Sequence, residues 1–308
     1  MPLVPLRGST RTGCRSSIAP VTLAELVAEL DAYFRLPDVR GDDWSVAFEQ
    51  VYPEPYWRDY VEPGWEGRWN GLAVRGAEEV ERVVTCVFPS DRIVAALEPG
   101  TFLFSEHPLD FADEPGFLPL SRESFARMRE DGIGFYNVHA PLDMHPEFSP
   151  SRLCALGVGL ENLVEYFPIC EGIPGGAAII GESRLTVDGL ADALRSYLGP
   201  EILVHVLTRS RGEAGRVAMV AGGGAQVEIL EASLERGCDT YVTGNAATNC
   251  RLDFVQEQVR AFRKRADEAG VTLLDAMHYG MEKPPQLAML AWFRTRGLRA
   301  EFVPDGPK

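Results

Sequence analysis

The sequence lacks the features that mark membrane proteins, disulfide-bonded proteins and general nucleic-acid binders. No run of eighteen apolar residues occurs among its 308 residues, so we expect no segment that spans a membrane. The six cysteines are widely separated and form no Cys-x-x-Cys pair, which leaves a zinc-ribbon or thioredoxin-type motif without support and predicts reduced thiols in a cytoplasm. The formal charge of −15, from 45 acidic against 30 basic residues, repels a phosphate backbone and argues against nucleic acid as a partner.

The remaining composition is that of an ordinary globular protein, except at the N-terminus. With 45% hydrophobic residues, the chain has enough apolar side chains for one large core or two lobes. The first twenty residues carry Arg7, Arg11 and Arg15 among Ser, Thr, Gly and Pro, and they lack the apolar stretch of a secretory signal. We therefore expect a flexible tail over residues 1–20, with an organellar transit peptide as the alternative.

The rest of the chain predicts an α/β fold. A capping box at residues 22–25 begins the first helix, and strands and helices alternate from residue 69 onward. Between them, residues 36–68 are rich in proline and aromatic residues and predict an irregular excursion. We expect its aromatic side chains to anchor the segment by burying area, the alternative being that they line a substrate mouth. These side chains are Tyr52, Tyr56, Trp57, Tyr60 and Trp65.

The stretch from residue 271 to residue 295 is the first candidate for a functional site. An apolar run at its start predicts a β-strand, and His278 and Glu282 lie in the loop predicted to follow it. Pro284 and Pro285 then suit the first turn of a last helix over residues 286–295. A lone His-x-x-x-Glu is equally typical of a hydrogen-bonded loop histidine beside a glutamate in a first helical turn. The chain has only five histidines, however, and two others follow strands upstream.

Both of those histidines lie near a carboxylate at the end of a predicted strand. Glu106 and His107 follow one strand, and His139 and Asp143 follow the next. Open α/β sheets bind ligands at the carboxyl ends of their strands. Imidazole and carboxylate groups suit zinc, iron or manganese, and five of them can hold two ions if one carboxylate bridges. The predicted metal ligands are Glu106, His107, Asp143, His278 and Glu282.

Two further motifs leave alternatives open. The glycines at 222–224 precede a predicted helix and suit either an anion site made of backbone N–H groups or a tight turn between strand and helix. His145, followed by Pro146, is expected in a surface turn, the alternative being a further ligand.

Taken together, the motifs resemble the interacting-factor-three-like family of dinuclear-metal proteins, often labelled GTP cyclohydrolase 1 type 2 homologues. The resemblance covers about residues 21–304 and rests on five motifs in the family's order. It implies a two-lobed α/β fold with mixed sheets, a metal pair in the cleft between the lobes, and a toroidal homohexamer. We place the lobes at residues 21–152, which include the excursion, and at residues 153–308. The motifs are Glu106-His107-Pro108, residues 139–143, the glycines at 222–224, Thr243-Gly244-Asn245 and residues 278–282.

Position by position, the resemblance implies metal ligands at His107, Asp143, His278 and Glu282. Glu106 stands where the family has the first His of a His-His-Pro motif, and Asn245 stands in place of the usual Glu. A glutamate at 106 makes the site richer in oxygen, which favours manganese or iron over zinc.

The resemblance implies a cytoplasmic hydrolase that uses two divalent ions of iron, manganese or zinc. We expect it to act on a nucleotide-like or cyclic amide small molecule, with His139 orienting a ligand or carrying a proton. The alternative is a non-catalytic metal-binding ring that serves as a scaffold or protein-interaction module. The two differ because catalysis needs an open coordination position, whereas a structural site can be saturated by protein ligands.

Overall fold

A computed structural model describes residues 21–38, 43–112, 114–170, 174–209, 211–248 and 250–304. The tail predicted for residues 1–20 lies outside the described residues. Within the described ranges, no helix combines the length and the apolar character needed to cross a membrane.

The strands build two large mixed sheets and two short ladders, as predicted for a mixed α/β fold. In chain order they are β1 Val21–Thr22, β2 Gly71–Val74, β3 Glu79–Val80, β4 Arg82–Cys86, β5 Phe102–Ser105, β6 Asp110–Ala112, β7 Gly116–Leu118, β8 Gly134–Asn137, β9 Glu161–Tyr166, β10 Ala178–Thr186, β11 His205–Thr208, β12 Glu213–Val220, β13 Thr240–Thr243, β14 Thr272–Asp275 and β15 Arg299–Phe302.

Helices cover the faces of these sheets and connect their strands. In chain order the α-helices are α1 Leu23–Tyr33, α2 Ser45–Val51, α3 Asp91–Ala96, α4 Arg122–Glu130, α5 Ala140–Asp143, α6 Pro150–Gly157, α7 Val187–Leu198, α8 Val227–Glu235, α9 Asp253–Ala269 and α10 His278–Arg294, with 3-10 turns at Leu36–Asp38 and Tyr56–Asp59.

The first sheet has the strand order β15-β4-β5-β8-β2. Its first four strands are parallel, and β2 runs antiparallel to β8. Strands β5 and β8 are buried along their whole length, as expected for parallel strands covered on both faces. Their carboxyl ends deliver Glu106 and His139 to the same edge of the sheet.

The second sheet has the order β11-β14-β13-β12-β10-β9. Its central strands β12, β13 and β14 are parallel, and the outer pairings are antiparallel. The parallel strands end at the glycine turn after β12, at Gly244 after β13 and just before His278 after β14.

Helix α10 connects the two cores. Near its start, Tyr279 and Met281 pack with residues of the second sheet. Toward its end, Met289 and Phe293 pack with residues of the first sheet. The chain then finishes in β15, which pairs with β4 in the first sheet. The lobe boundary at residue 152 stays a prediction, and the last strand adds to the sheet built by the first half of the chain.

The predicted start of the last helix was wrong. Helix α10 begins at His278, so Pro284 and Pro285 lie in its second turn rather than in its first. Proline has no N–H to donate to the carbonyl four residues earlier. The thiol of Cys154 donates to the carbonyl of Met281, 3.4 Å away, and so satisfies the group that Pro285 leaves open. The earlier start puts His278 and Glu282 one helical turn apart on the same face.

The aromatic excursion is anchored as expected. Tyr52, Trp57 and Trp65 are buried in the core beside the first sheet, while Tyr56 and Tyr60 are partly buried against the same core. The indole N–H of Trp65 donates to Oδ1 of Asn137 at 2.9 Å. This segment therefore stabilises the lobe by burying aromatic area.

Candidate metal centre

Three of the five predicted ligands converge from the two sheets. His107 follows β5 of the first sheet, whereas His278 and Glu282 lie in the first turns of α10, after β14 of the second sheet. One carboxylate oxygen of Glu282 is 2.7 Å from Nε2 of His107, and the other is 2.8 Å from Nε2 of His278. Among the described residues, this is the one group of three or more His, Cys, Asp or Glu side chains whose ligand atoms all lie within 4.8 Å of one another.

Burial and charge set the protonation of this group. Burial lowers the pKa of His107 to about 4, although the nearby Glu282 carboxylate acts in the opposite direction. Burial alone would raise the pKa of Glu282, but the two imidazoles outweigh it and hold the pKa of this carboxyl below its usual range. At neutral pH, therefore, His107 is neutral and the neighbouring Glu282 is ionised. A metal ion requires these protonation states of its ligands.

Glu106 lies beside this group but not within it. Its side chain is fully buried, and neither of its carboxylate oxygens makes a hydrogen bond to a described residue. Burial raises the pKa of Glu106 well above its usual value, and the negative charges of Glu282 and Asp143 raise it further. A buried carboxyl without a hydrogen bond is costly and suits a cation. Glu106 as a ligand stays a prediction.

The end of β8 supplies Asp143 and His139. Helix α5 is a single turn that begins after His139 and ends at Asp143. The backbone N–H of His139 donates to Oδ1 of Asn70 at 2.7 Å, which fixes the start of this turn. The ring of His139 lies 4.8 Å from the ring of His107. His139 and Asp143 both line the cavity described next, and their roles stay predictions.

A cavity of about 260 Å³ opens onto the three converging ligands. Aromatic side chains form one part of its wall, and two of them, Phe111 and Phe117, come from the hairpin of β6 and β7. Trp44 lies edge-on to both His107 and His139, with ring centres 5.6 and 5.0 Å apart. Trp44 belongs to the excursion, so this segment also shapes the cavity. Three neutral amides also line the cavity, among aliphatic side chains: Gln226, Asn245 and Gln258.

The glycine motifs form close-packed turns around α10. Gly222 has φ +58°, and a Cβ atom added there would overlap an oxygen of Glu282. A Cβ atom at Gly244 would lie 2.8 Å from Cα of His278 and 3.0 Å from the carbonyl oxygen of Gly222. Asn245 accepts a hydrogen bond from the backbone of Ala225 at 2.8 Å. Of the two alternatives for the glycines at 222–224, the structure shows the tight turn.

Sequence reasoning missed several residues of this site and misplaced His145. Gln286 lies one turn after Glu282 on α10, a spacing that would have revealed it had the helix start been set correctly. Trp44 had no signal beyond its place in an aromatic segment. His145 is buried rather than in a surface turn, and its Nδ1 accepts hydrogen bonds from the backbone of Glu147 and Phe148.

Comparisons with known proteins agree with this architecture. A family described as Duf34/NIF3 (NGG1p interacting factor 3) matches residues 58–296. A Yersinia pestis protein named GTP cyclohydrolase 1 type 2 homolog is 27% identical over 181 residues, which are 58% of this chain and 70% of that protein. The protein of the same name from Escherichia coli strain K12 is 26% identical over 233 residues, 72% of this chain and 83% of that protein.

Among solved structures, TTHA1606 from Thermus thermophilus is similar to this chain. The TM-score is 0.62 at 24% identity, and the match covers 94% of this chain and 99% of TTHA1606. At this identity the likeness shows a shared fold.

The close approach of Gly222 to Glu282 predicts that position 222 does not tolerate a side chain, whereas the neighbouring position 223 does. Gly222→Ala should destabilise the fold by about 1–3 kcal/mol and displace the Glu282 carboxylate, because the new methyl group overlaps it at a backbone angle that favours glycine. Gly223→Ala is the matched control, since no atom lies within 4 Å of its added Cβ. Chemical denaturation measures both variants. Equal stability of the two would contradict the packing described here.

The raised pKa of Glu106 predicts a pH-dependent stability in metal-free protein. The folded state keeps a proton on Glu106 that the unfolded chain releases above about pH 4.5, so the contribution of this group to stability should fall as pH rises above this value, by at most about 1.4 kcal/mol per pH unit. Glu106→Gln removes this contribution, so the stability of the parent relative to the variant should fall between about pH 5 and pH 7, whereas the buried histidines contribute equally to both proteins. Denaturant titrations after chelation test this, with the exposed Glu235→Gln as control. Parallel profiles for the parent and Glu106→Gln would refute it.

Proposed function

This chain belongs to the Duf34/NIF3 family, and from that premise we propose that it is a hydrolase that uses two divalent metal ions. Its substrate is a nucleotide-like or cyclic amide small molecule. The observation that carries the proposal is the convergence of His107, His278 and Glu282 at the wall of an open cavity. The names of the curated relatives support the same reaction class.

The side chains that line the cavity, together with Glu106 beside them, fit two ions. His107, His278 and Glu282 offer two imidazole nitrogens and a carboxylate for the first ion. Glu106 and Asp143 would hold the second ion, because the charges of Glu282 and Asp143 both act on Glu106. Glu106 in particular has buried oxygens without hydrogen bonds, which a cation would satisfy. This mixed donor set suits iron, manganese or zinc.

Ions bound in such a site polarise the bond under attack and acidify water at neutral pH. The protein contributes orientation and proton transfer. His139 lines the cavity next to His107 and would carry a proton between water and the leaving group of the substrate. Trp44 and Phe117, which pack edge to face with ring centres 5.3 Å apart, would form an apolar wall beside a planar ring and exclude water.

The cavity also bears on the alternative of a non-catalytic scaffold. A ring that only holds metal for structural reasons needs no cavity that reaches its ligands, whereas catalysis does. We retain the toroidal homohexamer as part of the proposal. A cytoplasmic location is also proposed, because the described cysteines are buried thiols: Cys86, Cys154, Cys170, Cys238 and Cys250.

Metal content tests the proposal directly. We expect about two equivalents of metal per chain by elemental analysis, and a marked loss in both His278→Ala and Asp143→Ala, since each removes one proposed ligand. Glu106→His should shift the bound metal toward zinc, because it replaces an oxygen donor with a nitrogen donor. Protein purified without chelator that holds no metal would refute the dinuclear hydrolase.

The proposed role of His139 predicts that its substitution slows turnover without removing the metal. His139→Ala should keep its metal content and slow hydrolysis by about 10²–10⁴-fold, because it removes the proton carrier but none of the proposed ligands. The assay screens nucleotides and cyclic amides with the parent and then compares the variants on the substrate found. His205→Ala, on the exposed edge strand β11, is the matched control. Turnover of His139→Ala at the rate of the parent would contradict a role of His139 in proton transfer.

A further inference from the structure

A second cavity adjoins the metal cavity and differs from it in charge. It is a groove of about 400 Å³, and it shares Thr248 and Cys250 with the metal cavity. Its wall contains Arg251, Arg260 and Arg263. By contrast, no lysine or arginine of the described chain lines the metal cavity. Positive charge is therefore concentrated immediately outside the proposed reaction site.

Helix α9 separates the two cavities and presents a different face to each. Gln256, Val259, Arg260 and Arg263 follow the i, i+3, i+4, i+7 spacing of one helix face, and all four line the groove. Phe254, Val255 and Gln258 from the first turns of the same helix line the metal cavity instead. A ligand that passes Thr248 and Cys250 would contact both faces.

The arginines of the groove differ from the other cations of α9 in their partners. Lys264 pairs with Glu268 at 3.9 Å, and Arg265 pairs with Glu231 at 2.5 Å. Arg260 and Arg263 form no ion pair with any residue that the structure describes.

Acidic groups of the groove neutralise only part of its charge. Arg251 pairs with Glu114, the one acidic side chain among the described residues that line the groove. Two guanidinium groups of the groove therefore remain without an ion pair to a described residue. They lie on one helix face, in the wall of a groove that adjoins the proposed reaction site, and this juxtaposition suits an external anion.

We infer that the groove binds the phosphate group of the substrate while the reacting ring lies in the metal cavity. Two guanidinium groups match the charge of a phosphate monoester, about −1.5 to −2 at neutral pH, and their planar donors suit its oxygens. The assignment of the ring rests on the proposed hydrolase function, whereas the phosphate site stands on the groove itself. The substrate class is then a heterocycle that carries a phosphate ester.

Binding of inorganic phosphate to the full chain tests the site. Isothermal titration calorimetry at low salt would compare the parent, the double variant Arg260→Gln/Arg263→Gln, and His278→Ala. Lys264→Gln is the matched control, because it removes a paired cation of the same helix outside the groove. We expect the double variant to raise the Kd about tenfold or more, and Lys264→Gln to stay close to the parent. His278→Ala should retain phosphate binding, since it alters the proposed metal site alone.

Each contrary result has a defined meaning. Phosphate binding that survives in the double variant but disappears in His278→Ala would place the anion at the metal ligands and overturn the groove assignment. Succinate binding with the same dependence on the arginines, without phosphate binding, would overturn the assignment to phosphate. Metal content is measured separately. Arginine-dependent phosphate binding in a protein without metal would refute the proposed function and leave the groove site intact.

Discussion

The carboxylate of Glu282 is the constraint on which the rest of the site depends. One of its oxygens faces an imidazole that follows a strand of the first sheet, and the other faces an imidazole one turn earlier on its own helix. Both sheets must therefore hold their positions for these contacts to form. A buried carboxylate tolerates few other arrangements, because without the two imidazoles its desolvation would go uncompensated. The candidate metal centre and the junction between the sheets are in this sense one structure.

Helix α10 meets this constraint through its neighbours. The glycine turn after β12 and Gly244 after β13 bring backbone against the helix where any side chain would overlap it. The same helix carries two prolines in its second turn, and the buried thiol of Cys154 satisfies a carbonyl that one of them leaves open. Its later turns pack in the other core, against the sheet that the final strand joins. The helix that carries two of the ligands is thus fixed at both ends.

Around this centre, the side chains that line the two adjoining cavities differ in polarity and charge. The metal cavity is bounded by aromatic rings and neutral amides, and its charged groups are the acidic and imidazole side chains of the centre itself. The groove beyond Thr248 and Cys250 carries arginines. Separation of this kind suits a ligand with a planar part and an anionic part. It also keeps guanidinium charge away from the candidate metal centre, where a cation would be disfavoured by a like charge.

The sequence alone was sufficient for the alternation of strands and helices, the buried aromatic anchors and the family resemblance, because these depend on local periodicity and on motifs in order. It also pointed to His107, His278 and Glu282, since each follows or lies near a strand end.

Only the tertiary structure decided that α10 begins at His278, because the local preference of proline for a first turn was overridden by packing on both sides of the helix. The steric role of Gly222, the place of Trp44 in the cavity wall and the position of Glu106 beside the converging ligands were likewise decided by contacts between residues far apart in the chain. No local pattern encodes such contacts.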